Sequence, residues 1–258
     1  MENIVIMRRA IVLAAGKGTR MKSDLPKVLY PVLGKPIIEY VLDSLDAAGI
    51  EESIVVVGYR GDMVREALKN RKNIVFADQT EQLGTGHAVM CCRSLLEGTS
   101  GPVFVIAGDS PMLEADTVKA LFDLAETAES KGNKISAALG TVYKENPAGM
   151  GRILRNDAGE FVGIIEDKDA SDEQKKICEI NMSYYLFDTQ DLLDSLSEIK
   201  TDNAQKEYYI TDVPAILIKK GKMVEAAPIL KPSECLGVNT VEDVRRVEEA
   251  INAGRNKN

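Results

Sequence analysis

An α/β fold built on a doubly wound sheet is predicted by three observations. Apolar runs alternate with helical stripes through the first half, each run is continuous, and a glycine-rich cationic loop follows the first of them. Continuous apolar runs suit strands covered on both faces. Strand–helix alternation implies right-handed βαβ units.

The first strand is read over 10–15, AIVLAA. From Pro36 the period becomes helical. Ile37, Ile38, Val41, Leu42 and Leu45 make one stripe, with Pro36 in a first turn and Gly49 as a stop. Strand SIVVVG (53–58), a polar helix over 61–71 and strand NIVFA (73–77) follow. GHAVMCCRSLL reads as a helix and GPVFVIAG (101–108) as a strand. The stripe Val118, Leu121, Phe122, Ala125, Ala128 is a helix, and KISAALGTV (134–142) a strand. After about 142, GRILR, FVGIIE and EINMSYYLF read as strands with few helices between them, which predicts a smaller antiparallel lobe. A helix over 208–220, a C-terminal helix striped by Val241, Val244, Val247 and Ile251, and a frayed polar tail NAGRNKN complete the reading. No repeat or linker marks a break, so the 258 residues are expected to form one domain.

Lys and Arg total 32 against 40 Asp and Glu, a net charge of −8. That disfavours nucleic acid, whose binding rests on a basic face. It leaves room for a small anionic substrate wherever a few cations gather. Cys91, Cys92, Cys178 and Cys235 show no CxxC spacing, so reduced thiols are expected rather than disulfides or zinc. No run reaches the ~18 apolar residues of a membrane span. The opening MENIVIMRRAIVLAAG carries Glu2 and sets its arginines inside the apolar run, unlike a signal peptide. A soluble, cytoplasmic protein with no membrane partner is expected.

The loop in LAAGKGTRMKSDLPKVL (13–29) sits where ligands bind in open α/β sheets, outside a strand's carboxyl end. Gly16 and Gly18 permit close approach of backbone N–H groups to an anion, and Arg20 and Lys27 add charge. The string is not a P-loop, because the six residues from Gly16 end in Met21. It is not the dinucleotide fingerprint either, because Met21 takes the third glycine's place. From the loop alone, an ordinary glycine turn with solvated cations stays open.

The full string resembles the nucleotidyltransferase signature of sugar-phosphate pyrophosphorylases. QTEQLGTGHAV (79–89), GDSP (108–111), GRI (151–153), IIEDKDASDEQ (164–174), EIN (179–181), NAQKEYYITDV (203–213) and GVN (237–239) then follow in order. Together they are similar to the uridyltransferase domain of bacterial N-acetylglucosamine-1-phosphate uridyltransferases. The resemblance implies a Rossmann-like, doubly wound mixed sheet of the nucleotide-diphospho-sugar transferase type. It implies a nucleotide-binding half to about 142 and an antiparallel sugar-binding lobe over about 143–236. A metal ligand and the C-terminal helix would occupy 237–254. The implied substrates are UTP and N-acetyl-α-D-glucosamine 1-phosphate, and the products UDP-N-acetylglucosamine and pyrophosphate. No hexapeptide repeat of the family's acetyltransferase domain appears, so acetyl transfer is not expected, and the oligomeric state is left open.

By the same resemblance, Arg20 and Lys27 are the catalytic cations. Leu13, Ala14, Ala15, Gly16, Gln79, Gly84, Thr85 and Gly108 bind the nucleotide, with the Gln79 amide reading uracil. Gly151, Glu166 and Asn181 contact the sugar. Asp109 and Asn239 hold Mg²⁺, as hard oxygen ligands suit that ion. His87, the single histidine, is expected to support the pocket rather than to transfer protons. Structural readings stand beside these: Asp109 as a turn residue, Thr85 and Asn239 as helix caps, and Lys168 as either solvated or near a phosphate. The chain reads EINMS where the family reads EINTG, so Met182 and Ser183 put the sugar in question. Lys206 likewise stands where glycine is common. A uridyltransferase for glucose or N-acetylgalactosamine 1-phosphate, or a non-catalytic nucleotide-sugar binder, are the alternatives.

Overall fold

The computed structural model describes residues 7–21 and 23–255. The opening residues 1–6 read against a signal peptide, and the last three of the predicted tail, lie outside them. In chain order the larger elements begin with β1 (Arg9–Ala14), the short hairpin β2 (Pro31–Val32) and β3 (Lys35–Pro36), and α1 (Ile37–Ala47). Then come β4 (Glu52–Val57), α2 (Gly61–Leu68), β5 (Ile74–Asp78), α3 (Thr85–Met90) and α4 (Arg93–Leu96). They continue with β6 (Pro102–Ala107), α5 (Ala115–Ser130), β7 (Ile135–Tyr143), β8 (Gly151–Arg155) and β9 (Phe161–Ile165). The last are β10 (Glu179–Asp188), α6 (Thr189–Leu196), α7 (Val213–Lys219), β11 (Met223–Ala227) and α8 (Val241–Arg255).

The main sheet runs β11-β7-β10-β6-β1-β4-β5. β1 pairs in parallel with β4 and β6, and β4 with β5. β10 is antiparallel to both β6 and β7, while β11 is parallel to β7. One antiparallel strand thus makes the sheet mixed, as the resemblance implies. β8 pairs with the start of β10, and β9 with β8, so the antiparallel lobe is hydrogen-bonded into the same sheet.

Both faces are covered, which explains the continuous apolar runs. On one face Ala10, Val12, Phe104 and Ile106 meet the α1 stripe and Phe122 of α5. On the other, Ile11, Val56 and Val105 meet Val89, Leu193 and Leu217 of α3, α6 and α7. A third, smaller cluster joins Met21, Val32 and Ile37 to Val238, Val244 and Val247. Burying each such valine is worth about 1.5–3 kcal/mol, and together they seat the start of α8 beneath the glycine-rich loop.

Three local readings need correction, and two elements are additional. The helix predicted over GHAVMCCRSLL breaks at Cys91–Cys92 into α3 and α4. The helix predicted from 208 begins at Val213, after a 3₁₀ turn at Ile210–Asp212, because the Tyr208 backbone is spent on another segment. α6 and β11 were not expected. The tail predicted to fray from Asn252 stays helical to Arg255.

Candidate active site

The carboxyl ends of β1, β5 and β6 open into a cavity of about 480 Å³ lined by Leu13, Ala14, Ala15, Gly16, Gln79, Gly84 and Thr85. Arg20, Lys27 and Asp109 line it as well. A second cavity of about 330 Å³ shares Ala107 and Asp109 with the first and is lined by Gly151, Glu166, Asn181, Met182, Ser183 and Asn239. The residues expected from the sequence therefore gather into two chambers that meet at Asp109. Gly108 is the exception and lines neither. Its N–H donates to Leu13 O at 2.9 Å, and a Cβ there would lie 3.0 Å from that oxygen. Glycine at 108 serves the close approach of β6 to β1.

Gly18 sets the cationic end. It has φ +66°, and a Cβ there would fall 2.5 Å from Lys27 Cβ, so the turn requires glycine twice over. Gly16, by contrast, has no neighbour where a Cβ would stand, which leaves its backbone open to a ligand. Lys27 Nζ then donates to Asp109 Oδ2 and, at 2.6 Å, to Asn239 Oδ1. Arg20 Nη2 donates to the same Asn239 oxygen at 2.7 Å. Asn239 is not the cap of α8. Thr240 and Asp243 cap it reciprocally, Asp243 Oδ2 accepting from Thr240 N at 2.8 Å and Asp243 N donating to Thr240 Oγ1 at 3.2 Å. The Asn239 amide is left for the cations.

The segment from Gln79 to His87 holds itself in shape. The Gln79 side chain is buried, and its Nε2 donates to Gly84 O at 3.0 Å and lies 3.1 Å from His87 Nδ1. His87 lines neither chamber and meets the first one through its contact with Gln79. Thr85 does not cap α3. Its Oγ1 accepts from Ile210 N at 3.1 Å, across 125 positions of sequence. Gly84 has φ +108°, and a Cβ there would lie 2.5 Å from Tyr208 O, so this glycine admits the neighbouring backbone.

In the second chamber Gly151 stands between Asn181 and Glu166, where a Cβ would lie 3.5 Å from Asn181 Cβ and 3.6 Å from Glu166 Oε2. Asn181 Nδ2 donates to Tyr185 OH at 2.6 Å, and Ser183 N donates to Asn181 Oδ1 at 3.2 Å. Burial pushes the Glu166 carboxyl above its ordinary value, and Asp169, Asp212 and Asp167 push it further against the hydrogen bond from Thr211. β10 bulges here: Asn181 pairs with Thr141 but Tyr184 with Gly140, so Met182 and Ser183 are extra residues. Ser183 has φ +61° and Lys206 φ +57°. Both departures from a family glycine thus keep the left-handed backbone that glycine serves. Arg152, next to Gly151, is buried and binds Met150 O, Asp167 Oδ1 and Lys175 O, fastening β8 to the loop after β9. Lys168 is tied to Gln205 and lines neither chamber.

The sequence reading missed Lys17, Gln82 and Glu207 in the first chamber and Lys144, Cys235 and Arg246 in the second. Lys17, Gln82 and Glu207 lie within strings that carry the resemblance, and that position was the available signal; Lys144, Cys235 and Arg246 lie outside them. All four cysteines are free thiols. Among the described residues no helix is long and apolar enough to cross a membrane.

Comparison with known proteins agrees with this geometry. Curated relatives called bifunctional protein GlmU match closely. That of Enterococcus faecalis is 45% identical over 232 residues, covering 90% of this chain and 49% of the relative. The relative from Clostridium novyi is 41% identical over 244 residues, covering 95% of this chain and 52% of its own length. The chain therefore spans about half the length of these relatives. Among solved structures, a UDP-glucose pyrophosphorylase complexed with UDP-glucose superposes with a TM-score of 0.77 at 21% identity, covering 96% of this chain and 100% of the other. An apo UDP-glucose pyrophosphorylase gives 0.73 at 18% identity, covering 97% of this chain and 100% of the other. These two establish the nucleotide-diphospho-sugar transferase fold. The model of the MobA-like NTP transferase domain matches residues 10–171, and the chain belongs to that family of nucleotidyltransferases.

Proposed function

We propose that this domain transfers the uridylyl group of UTP to N-acetyl-α-D-glucosamine 1-phosphate, releasing pyrophosphate. The observation that carries the reading is the meeting of Arg20, Lys27, Asp109 and Asn239 at the junction of two chambers, one lined by the base-reading segment and one by Gly151, Glu166 and Asn181. A sugar-phosphate oxygen forms the new bond to the α-phosphorus as the bond to the leaving pyrophosphate breaks. The nucleophile is already anionic at neutral pH, so the chain supplies alignment and charge rather than a base. Arg20 and Lys27 neutralise charge on the transferred and leaving phosphates. Glu166 and Asn181 bind the sugar and orient its phosphate.

The donor set fits Mg²⁺. Asp109 Oδ2 and Asn239 Oδ1 converge on one cationic nitrogen, so both lie within reach of one ion. Among the described residues no group of three or more His, Cys, Asp or Glu gathers into a metal cage. One carboxylate and one amide, completed by phosphate oxygens and water, suit this strongly hydrated ion. When bound it would neutralise phosphate charge. The proposed substrates are cytosolic metabolites, which supports a cytoplasmic location.

Met182 favours keeping a second sugar in view, because it brings a flexible thioether to the sugar chamber. The test is pyrophosphate release from UTP with N-acetylglucosamine, glucose and N-acetylgalactosamine 1-phosphates, with and without Mg²⁺. Release with the first sugar supports the proposal. Preference for another sugar corrects the substrate, and binding without release with all three makes the domain a nucleotide-sugar binder.

A further inference from the structure

The segment Glu207–Thr211 runs from the first chamber to the side chain of Glu166, which lines the second. Its first end is fastened to the base-recognition loop: Tyr208 N donates to Leu83 O at 2.8 Å, Gly86 N to Tyr208 O at 2.7 Å, and Ile210 N to Thr85 Oγ1 at 3.1 Å. Glu207 itself lines the nucleotide chamber. One residue beyond Ile210, Thr211 Oγ1 donates to Glu166 Oε1 at 3.2 Å. Thr211 is buried and, with Glu166, lines a third cavity of about 190 Å³. Among the described residues it is the one hydrogen-bond donor to the Glu166 side chain.

The chemistry around Glu166 makes that donor consequential. Asp167, Asp169 and Asp212 all lie near enough to repel its carboxylate. Its Oε2 faces Gly151 in the sugar chamber, while Oε1 is held from behind by Thr211. A carboxylate repelled by three acidic neighbours needs an anchor to keep one oxygen aimed at a sugar hydroxyl or amide. A hydrogen bond to a charged group is the stronger kind.

Resting on the functional reading above, we propose that Thr211 is the positioning residue for Glu166, and that the strap 207–211 ties sugar recognition to the base-recognition loop. The strap is short and bonded at both ends, so the 83–86 loop and Thr211 are held within a few residues of each other. Thr211 touches no substrate; it acts through Glu166.

The test is calorimetric binding of UDP and of UDP-N-acetylglucosamine to the wild-type chain, Thr211→Val and Thr211→Ser. In the wild type the sugar nucleotide should bind more tightly than UDP. Thr211→Val, which keeps the shape and removes the donor, should lose about tenfold in affinity for UDP-N-acetylglucosamine, the order of one such hydrogen bond. It should leave UDP affinity within twofold, and Thr211→Ser should restore the difference. In a Glu166→Ala background Thr211→Val should cost less than threefold, because the acceptor is gone. Equal weakening of both ligands, or failure of serine to rescue, would assign Thr211 to packing and overturn the inference. So would an unchanged Thr211→Val. If the wild type itself does not prefer UDP-N-acetylglucosamine to UDP, the functional reading falls and takes this inference with it.

Discussion

Asn239 Oδ1 accepts from Lys27 Nζ at 2.6 Å although 212 positions separate them in sequence. The same ammonium also holds Asp109, so in this structure Lys27 sits between the two oxygens proposed to ligate Mg²⁺. On the proposed function, Lys27 moves off them to a phosphate when metal and nucleotide enter. Lys27→Met should raise the affinity for Mg²⁺ alone about tenfold, because one charge-assisted competitor is gone. It should also cut pyrophosphate release by about 10²-fold or more. Calorimetric titration of Mg²⁺ without nucleotide reads the first effect; unchanged or weaker metal binding would show that Lys27 does not compete.

Arg20 reaches Asn239 from the other side, at 2.7 Å, while its own surface is exposed. Removing it opens no core, so any loss should be chemical. Arg20→Ala is expected to lower kcat about 10²–10³-fold, the usual cost of one charge-stabilising donor. A loss below threefold with an unchanged melting curve would take Arg20 out of the mechanism.

The bulge at Met182–Ser183 separates geometry from specificity. Ser183 and Lys206 hold φ values of +61° and +57°, where a side chain costs about 1–2 kcal/mol and glycine costs nothing sterically. After glycine's greater freedom in the unfolded chain is subtracted, Ser183→Gly and Lys206→Gly should each stabilise by about 0.5–1 kcal/mol. That corresponds to about 1–4 °C in Tm, and the two should add, being distinct sites. Lower melting temperatures in scanning calorimetry would contradict this. Met182→Thr, which shortens a side chain lining the second chamber, the proposed sugar site, should change the ratio of kcat/KM between sugars more than the KM for UTP.

The legible part of this molecule is the part where one residue's burial is repeated along the chain. β1, β4 and β6 lie covered on both faces, so their central positions are apolar, and the runs announced them. α6 was missed because it is eight residues long, and its Leu192, Leu193 and Leu196 make less than two full turns of stripe. β11 was missed because its Met-Val-Glu-Ala-Ala lies at the sheet edge with only Ala226 buried. The site's membership was legible through motifs that resemble a family, yet its connections were not. Thr85 was open to reading as a cap but accepts from Ile210, and Asn239 was open to the same reading but meets two cations. Both contacts depend on elements more than a hundred residues away, which local sequence does not encode.

The anchor of β10 gives a prediction with a defined sign in pH. Glu179 is buried and accepts from Arg155 Nε and Nη2, each at 2.7 Å, and from Thr141 Oγ1 at 2.7 Å. Burial pushes its carboxyl up, but the Arg155 guanidinium and Thr141 outweigh burial and hold it below the ordinary carboxylate value. A carboxyl with a depressed value in the folded state binds its proton more readily when unfolded. Its stabilisation is therefore fully present above the unfolded value, near 4.5, and is lost as pH falls through the folded one. Glu179→Gln should be less stable than the wild type at pH 7, since it leaves Arg155 without its charge partner. The difference should shrink steadily below about pH 5, as the wild-type carboxyl becomes neutral too. Melting temperatures of both proteins at pH 7, 5, 4 and 3 measure the gap. A gap that stays constant or widens on acidification would mean that the Glu179–Arg155 pair does not carry this stability.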